Sequence, residues 1–180
     1  MVNLANLLTL LRIILIPTFA TLFLYGRHFE AFVAFAVAAL TDWLDGWVAR
    51  GPGQRTELGA FLDPLADKAL LLTSFALLAS TRVVPLWALV LVFTREVVIV
   101  GGWIVGHLIT RNRRVEPSGL GKATTAMQLA AVTAILFNHH TVLPHDLALR
   151  ALDAAMALTA ISGLDYLYRG LRDLQPRRPG

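Results

Sequence analysis

Residues Thr41–Leu72 read TDWLDGWVARGPGQRTELGAFLDPLADKALLL. Asp42, Asp45, Asp63 and Asp67 stand there among runs of Leu, Ala and Val that look like membrane spans. A charge at the centre of a membrane helix costs about 2.5–3.5 kcal/mol on insertion scales. Four carboxylates so close together therefore need a reason. Composition makes the membrane reading general. Of 180 residues, 56% are hydrophobic and 16% charged, and the mean hydropathy is +0.62. A soluble domain of this size has too little core for that much apolar residue, so the surplus is expected to face lipid. The absence of cysteine excludes disulfides, thiolate metal sites and a cysteine nucleophile. A net charge of +4 and a pI near 10.1 point to headgroups or phosphates as partners. Nucleic acid fits less well, because no soluble basic module is visible. No removable signal peptide is expected, since MVNLANLLTLLRIILIPTFA lacks a basic n-region.

A span needs roughly 20 apolar residues. Working outward from the aspartates, six are expected, at about Leu7–Tyr25, Phe32–Ala49, Leu58–Ala79, Val83–Ile109, Leu120–Phe137 and Leu147–Tyr168. All should be helices, because only a helix satisfies its own backbone in lipid. Short polar connectors separate them, so residues 1–180 read as a single transmembrane domain. Arg50, Arg55, Arg111, Arg113, Arg114 and Lys122 fall on one side, with Arg169, Arg172, Arg177 and Arg178. That side is expected to be cytoplasmic, with both termini. Asp42 and Asp45 then lie roughly 12 and 8 Å inward of Arg50, and Asp63 and Asp67 roughly 9 and 15 Å inward of Glu57. Each pair, at i,i+3 or i,i+4, shares one helix face. Turned toward each other, they would make one four-carboxylate cluster.

Such a cluster repels itself unless it takes up protons or holds cations. Hard oxygen ligands suit Mg²⁺, Mn²⁺ or Ca²⁺, and a carboxylate-bridged ion pair is a usual device of phosphoryl chemistry. The bland alternative pairs the acids with Arg50, Arg55 and Lys68. Gly46, Ala49 and Gly59 describe a slot walled by small residues, and Arg50 offers a bidentate phosphate contact. Pro64 removes a helix hydrogen bond beside the acids. An acid-lined proton or cation transporter is a reading of another class, but it needs polar residues along a continuous path. These acids sit on one side only.

Asp42-x-x-Asp45-Gly46-x-x-Ala49-Arg50, eight residues, then Gly59-x-x-x-Asp63-x-x-x-Asp67 resembles the signature of the CDP-alcohol phosphatidyltransferases. NLLTLLRIILIP, GAFLDPLADK, TREVVIV, PSGLGKATTAMQLA and SGLDYLYRG extend the likeness to bacterial members that make phosphatidylglycerophosphate or cardiolipin. The resemblance implies an all-α fold of six transmembrane helices, a homodimer, and an active site open to the cytoplasm in the bacterial inner membrane. It also implies that Asp42, Asp45, Asp63 and Asp67 hold two divalent metal ions, Mg²⁺ or Mn²⁺, with Asp67 also the general base. Gly46, Ala49, Arg50 and Gly59 would line the CDP-diacylglycerol site. The implied reaction moves the phosphatidyl group of CDP-diacylglycerol to an alcohol with release of CMP. Glycerol 3-phosphate is the acceptor expected first and phosphatidylglycerol the alternative, because VIVGGWIVGHL after Arg95-Glu96-Val97 holds no second basic residue before Arg111. Arg95 and Lys122 are the candidate contacts for the acceptor phosphate. His139, His140 and His145 fall on the far side and read as solvated loop histidines.

Overall fold

The computed structural model describes residues 4–48, 57–110, 119–138 and 145–174. They form helices only: α1 (Leu4–Leu24), α2 (His28–Val48), α3 (Glu57–Ser80), α4 (Leu86–Thr110), α5 (Gly119–Asn138) and α6 (His145–Leu174). Each expected span coincides with one helix. Two stretches are long and apolar enough to cross a membrane among the described residues, Gly119–Asn138 and Leu147–Gly170. α1 packs on α2 and α3, α5 on α6 and α2, and α4 on α6 and α3.

Helix α2 shows how the sequence builds this bundle. Ala31, Ala34, Phe35, Ala38 and Thr41 recur at helical spacing and are all buried. The alanines let α1 approach closely, and Phe35 meets Phe19 of α1 with ring centroids 5.6 Å apart. The opposite stripe of α2, Phe29, Val33, Val37 and Leu40, is exposed. A second exposed apolar stripe runs down α4 through Leu86, Val90, Phe93, Val97 and Val100. Meanwhile Arg12, Arg95, Glu96, Gln128, Thr124, Thr159 and Ser162 are buried. Large apolar side chains outside and charged groups inside are the reverse of what water selects.

The two turns fully described are built the same way. After α1, the Arg27 N–H donates to Leu22 O (2.9 Å) and the Gly26 N–H to Phe23 O (3.0 Å). After α3, the Val83 N–H donates to Leu78 O (3.0 Å) and the Arg82 N–H to Ala79 O (3.1 Å). Both are Schellman caps, which place one residue in the left-handed region. Gly26 takes that position with φ 74°, and Arg82 with φ 59°. The second cap explains why α4 begins at Leu86 and not at Val83. Val83 and Val84 belong to the turn, and Val84 is apolar because its side chain is buried in the core while Thr81, Arg82 and Pro85 stay exposed. α3 runs unbroken through Pro64.

A Cβ at Gly26 would meet no atom within 4 Å, so a substitution there tests backbone conformation alone. Gly26→Ala should destabilise the protein by about 1 kcal/mol, and Arg82→Gly should stabilise it by up to about 1 kcal/mol. Thermal unfolding of the detergent-solubilised protein checks the pair; equal shifts of one sign would contradict the cap assignment.

Candidate active site

A cavity of about 420 Å³ lies where α2, α3, α4, α5 and α6 converge. Its walls are Ala39, Asp67, Lys68, Leu71, Arg95, Glu96, Ile99, Gly121, Lys122, Thr125, Ala126, Leu129 and Tyr166. Asp67, Arg95 and Lys122, far apart in the chain, thus line one space. Arg95 and Lys122, the two residues expected to contact the acceptor phosphate, are both among the lining residues. The contact between Arg95 and the Gly121 carbonyl sets Arg95 level with the start of α5.

Glu96 organises the charged wall. One of its carboxylate oxygens, Oε1, accepts from an Arg95 guanidinium nitrogen, and the other, Oε2, accepts from Lys68 Nζ. The Glu96 and Arg95 side chains are only 7% and 5% exposed, while Lys68 keeps 29%. A buried charge is tolerated only when paired and hydrogen-bonded, and this arrangement pairs three at once. The second terminal nitrogen of Arg95 donates to the Gly121 carbonyl at 3.1 Å. Its Nε is buried with no hydrogen-bond partner among the described residues. Lys122 is exposed on the cavity rim, and no ion pair involves it among the described residues.

The remaining aspartates follow from helix register. Ala39 and Asp67 line the cavity. Asp42 follows Ala39 by three residues on α2, and Asp63 precedes Asp67 by four on α3. Each therefore continues a cavity-lining helix face by about one turn toward the 49–56 connection, roughly 5–6 Å along the axis. Asp45 and Gly46 lie about one turn further along α2, and Gly59 one turn before Asp63 on α3. Ala49 and Arg50 lie outside the described residues, as do Arg55, Arg111, Arg113, Arg114, His139 and His140.

Three participants carried no role in the sequence reading, Tyr166, Gly121 and Arg12, and a fourth, Lys68, stood there only as a possible partner of the aspartates. Lys68 pairs with Glu96 on α4, 28 residues away, and not along its own helix. Tyr166 and Gly121 fall within stretches that carried the family likeness, yet neither residue stood out. Arg12, fully buried on α1, is the largest such side chain. Twelve residues separate it from Leu24, and twelve carry α2 from His28 to Leu40, so Arg12 lies near the level of Leu40 and Thr41, just short of Asp42. Glu96 is the partner that a buried Arg95 calls for, and the same rule, that an ionisable residue inside an apolar span has a job, applied to every span would have flagged Arg12.

Gly121 is a packing requirement of this site. A Cβ there would stand 3.0 Å from the Tyr166 hydroxyl and 3.3 Å from the Arg95 terminal nitrogen. Arg95 is held by Glu96 and cannot yield freely. Gly121→Ala should cost about 1–3 kcal/mol through overpacking and lower activity with it. Unfolding temperature and turnover measured together check this; an unchanged protein would mean that the guanidinium is not fixed.

Residues 2–163 match the family of CDP-alcohol phosphatidyltransferases. A protein of Mycobacterium tuberculosis H37Rv named a probable phosphatidylglycerophosphate synthase is 37% identical over 96% of this chain and 83% of its own length. The CDP-diacylglycerol–glycerol-3-phosphate 3-phosphatidyltransferase of Bacillus subtilis 168 is 34% identical, covering 97% of this chain and 98% of the relative. The protein of the same name in Escherichia coli K12 is also 34% identical, over 96% and 97%. The signature on α2 and α3, the matched length and these relatives agree, and the chain belongs to the CDP-alcohol phosphatidyltransferase family.

Proposed function

We propose that this protein transfers the phosphatidyl group of CDP-diacylglycerol to glycerol 3-phosphate, giving phosphatidylglycerophosphate and CMP. The observation that carries the reading is one cavity with Asp67 on one wall and Lys122, Arg95 and Lys68 around it. A phosphorylated alcohol needs cations for its phosphate and a base for its hydroxyl, and this space offers both. The names of the Bacillus subtilis and Escherichia coli relatives give the same acceptor.

The donor set fits divalent cations. Asp42, Asp45, Asp63 and Asp67 supply hard oxygens on two helices that touch and are joined through residues 49–56. They would hold two Mg²⁺ or Mn²⁺ ions, which when bound offset the charge of the diphosphate and of the departing CMP oxygen. Gly46, Ala49 and Gly59 leave room for the CDP moiety, and Arg50 grips its phosphates. Asp67 accepts the proton of the acceptor hydroxyl. The hydroxyl oxygen forms a bond to the phosphorus esterified to diacylglycerol, the bond from that phosphorus to the bridging oxygen breaks, and CMP leaves with that oxygen. Lys122 binds the acceptor phosphate, and Arg95 contributes the donor that Glu96 and Gly121 leave unused.

All six helices are read as spanning the bacterial inner membrane, with both termini and the 49–56 and 111–118 connections in the cytoplasm. The exposed apolar stripes of α2 and α4 support this. A homodimer is the assembly proposed, as the family likeness implies; Gly101 and Gly102 on α4 have open space where a second helix can pack.

Purified protein with CDP-diacylglycerol, Mg²⁺ and either glycerol 3-phosphate or phosphatidylglycerol tests the reading by lipid mass spectrometry. Phosphatidylglycerophosphate should form, and cardiolipin alone would overturn the acceptor assignment. Asp67→Asn should lower kcat by about 10²–10⁴-fold, the usual worth of a general base. Near-wild-type CMP release from that variant would remove Asp67 from the chemistry. Lys122→Ala should raise the KM for glycerol 3-phosphate by about 10- to 100-fold, the worth of one charge-assisted contact. The KM for CDP-diacylglycerol should stay within a factor of about two, and an equal rise in both would place Lys122 elsewhere.

A further inference from the structure

We propose that Glu96 is a positioning residue that keeps Lys68 away from the aspartates of the metal site. The proposal rests on the reading that those aspartates hold divalent cations. Lys68 follows Asp67 directly in sequence, on the helix that also carries Asp63. It is a flexible cation with a compact charge, able to swing toward any nearby carboxylate. A lysine among the four aspartates would compete with the metal for the same oxygens. In the structure its Nζ is instead bound by Glu96, on the facing helix α4.

The geometry makes Glu96 suited to this. Its side chain is 7% exposed and cannot turn away into solvent. Its second oxygen is fixed by Arg95, which is itself anchored to the Gly121 carbonyl. The chain of contacts thus runs from α5 through α4 to α3 and ends on Lys68. Three helices supply the links: the Gly121 carbonyl comes from α5, Arg95 and Glu96 from α4, and Lys68 from α3. The Lys68 ammonium is consequently held at α4, while Asp67 lines the cavity from α3. A carboxylate at position 96 is required for two cations at once; an amide of the same shape could accept from one oxygen only.

The test is Mn²⁺ binding, followed by the electron paramagnetic resonance signal of free Mn²⁺, on purified full-length protein without substrate. Wild type should bind Mn²⁺; if it does not, the metal reading itself fails. Glu96→Gln should bind at least fivefold more weakly, because Lys68 is released toward the aspartates. The double variant Lys68→Met/Glu96→Gln should regain wild-type affinity, which a merely structural role for Glu96 would not produce. Glu96→Gln binding equal to wild type, or a double variant no better than the single one, overturns the proposal. Where the Gln variant is not recovered folded, Glu96→Asp keeps the charge but shortens the reach. It should weaken Mn²⁺ binding in the same direction by a smaller factor, and unchanged binding there is equally fatal.

Discussion

One carboxylate shared by two cations inside an apolar bundle is the interaction on which the site depends. Glu96 takes Arg95 and Lys68 together, and through them it ties α4 to α3 and, by way of Gly121, to α5. Removing one member of such a buried group leaves an uncompensated charge, which typically costs about 3–5 kcal/mol. The bundle can therefore keep these charges only as a set. Their being kept at all, beside so much Leu, Val and Ala, is the physical argument that the cavity works on a charged substrate.

The same logic sorts the rest of the molecule. Small residues appear where helices must approach, as with Ala31, Ala34 and Ala38 on α2, and at Gly121 beneath the Tyr166 hydroxyl and the Arg95 guanidinium. Between α5 and α6 the polar contacts are neutral. Gln128 donates to the Thr159 hydroxyl at 2.7 Å, and Thr159 in turn to the Ala155 carbonyl at 2.6 Å. Neutral pairs of this kind fix which faces of two apolar helices meet without burying charge. Among the described residues, the ion pairs with a buried member, Arg95–Glu96 and Lys68–Glu96, lie at the cavity that Asp67 also lines.

Much of this was legible in the sequence. Runs of about 20 apolar residues broken by Gly, Pro and Arg locate six helices, since little but a helix fits them. The spacing of Asp42, Asp45, Asp63 and Asp67 fixes their register relative to cavity-lining Ala39 and Asp67, because i,i+3 and i,i+4 relations survive any packing. What was hidden depends on how helices rotate and tilt against each other. Lys68 and Glu96 are 28 residues apart, and no local rule says that one lysine prefers a carboxylate across the bundle to its sequence neighbour Asp67. The start of α4 was misplaced for a related reason. Val83 and Val84 look like span, but they belong to a turn closed by Arg82 in a left-handed conformation, from which Val84 alone is buried.

The central claim is spatial: the carboxylates of α2 and α3 and the cations of α4 and α5 serve two ends of one substrate-binding space that meet at Asp67. Anomalous scattering from crystals soaked with Mn²⁺ and glycerol 3-phosphate tests it directly. The account predicts manganese between α2 and α3 with Asp67 among its ligands, and the acceptor phosphate inside the cavity beside Lys122. Manganese away from Asp67, or a phosphate bound outside that cavity, would contradict it.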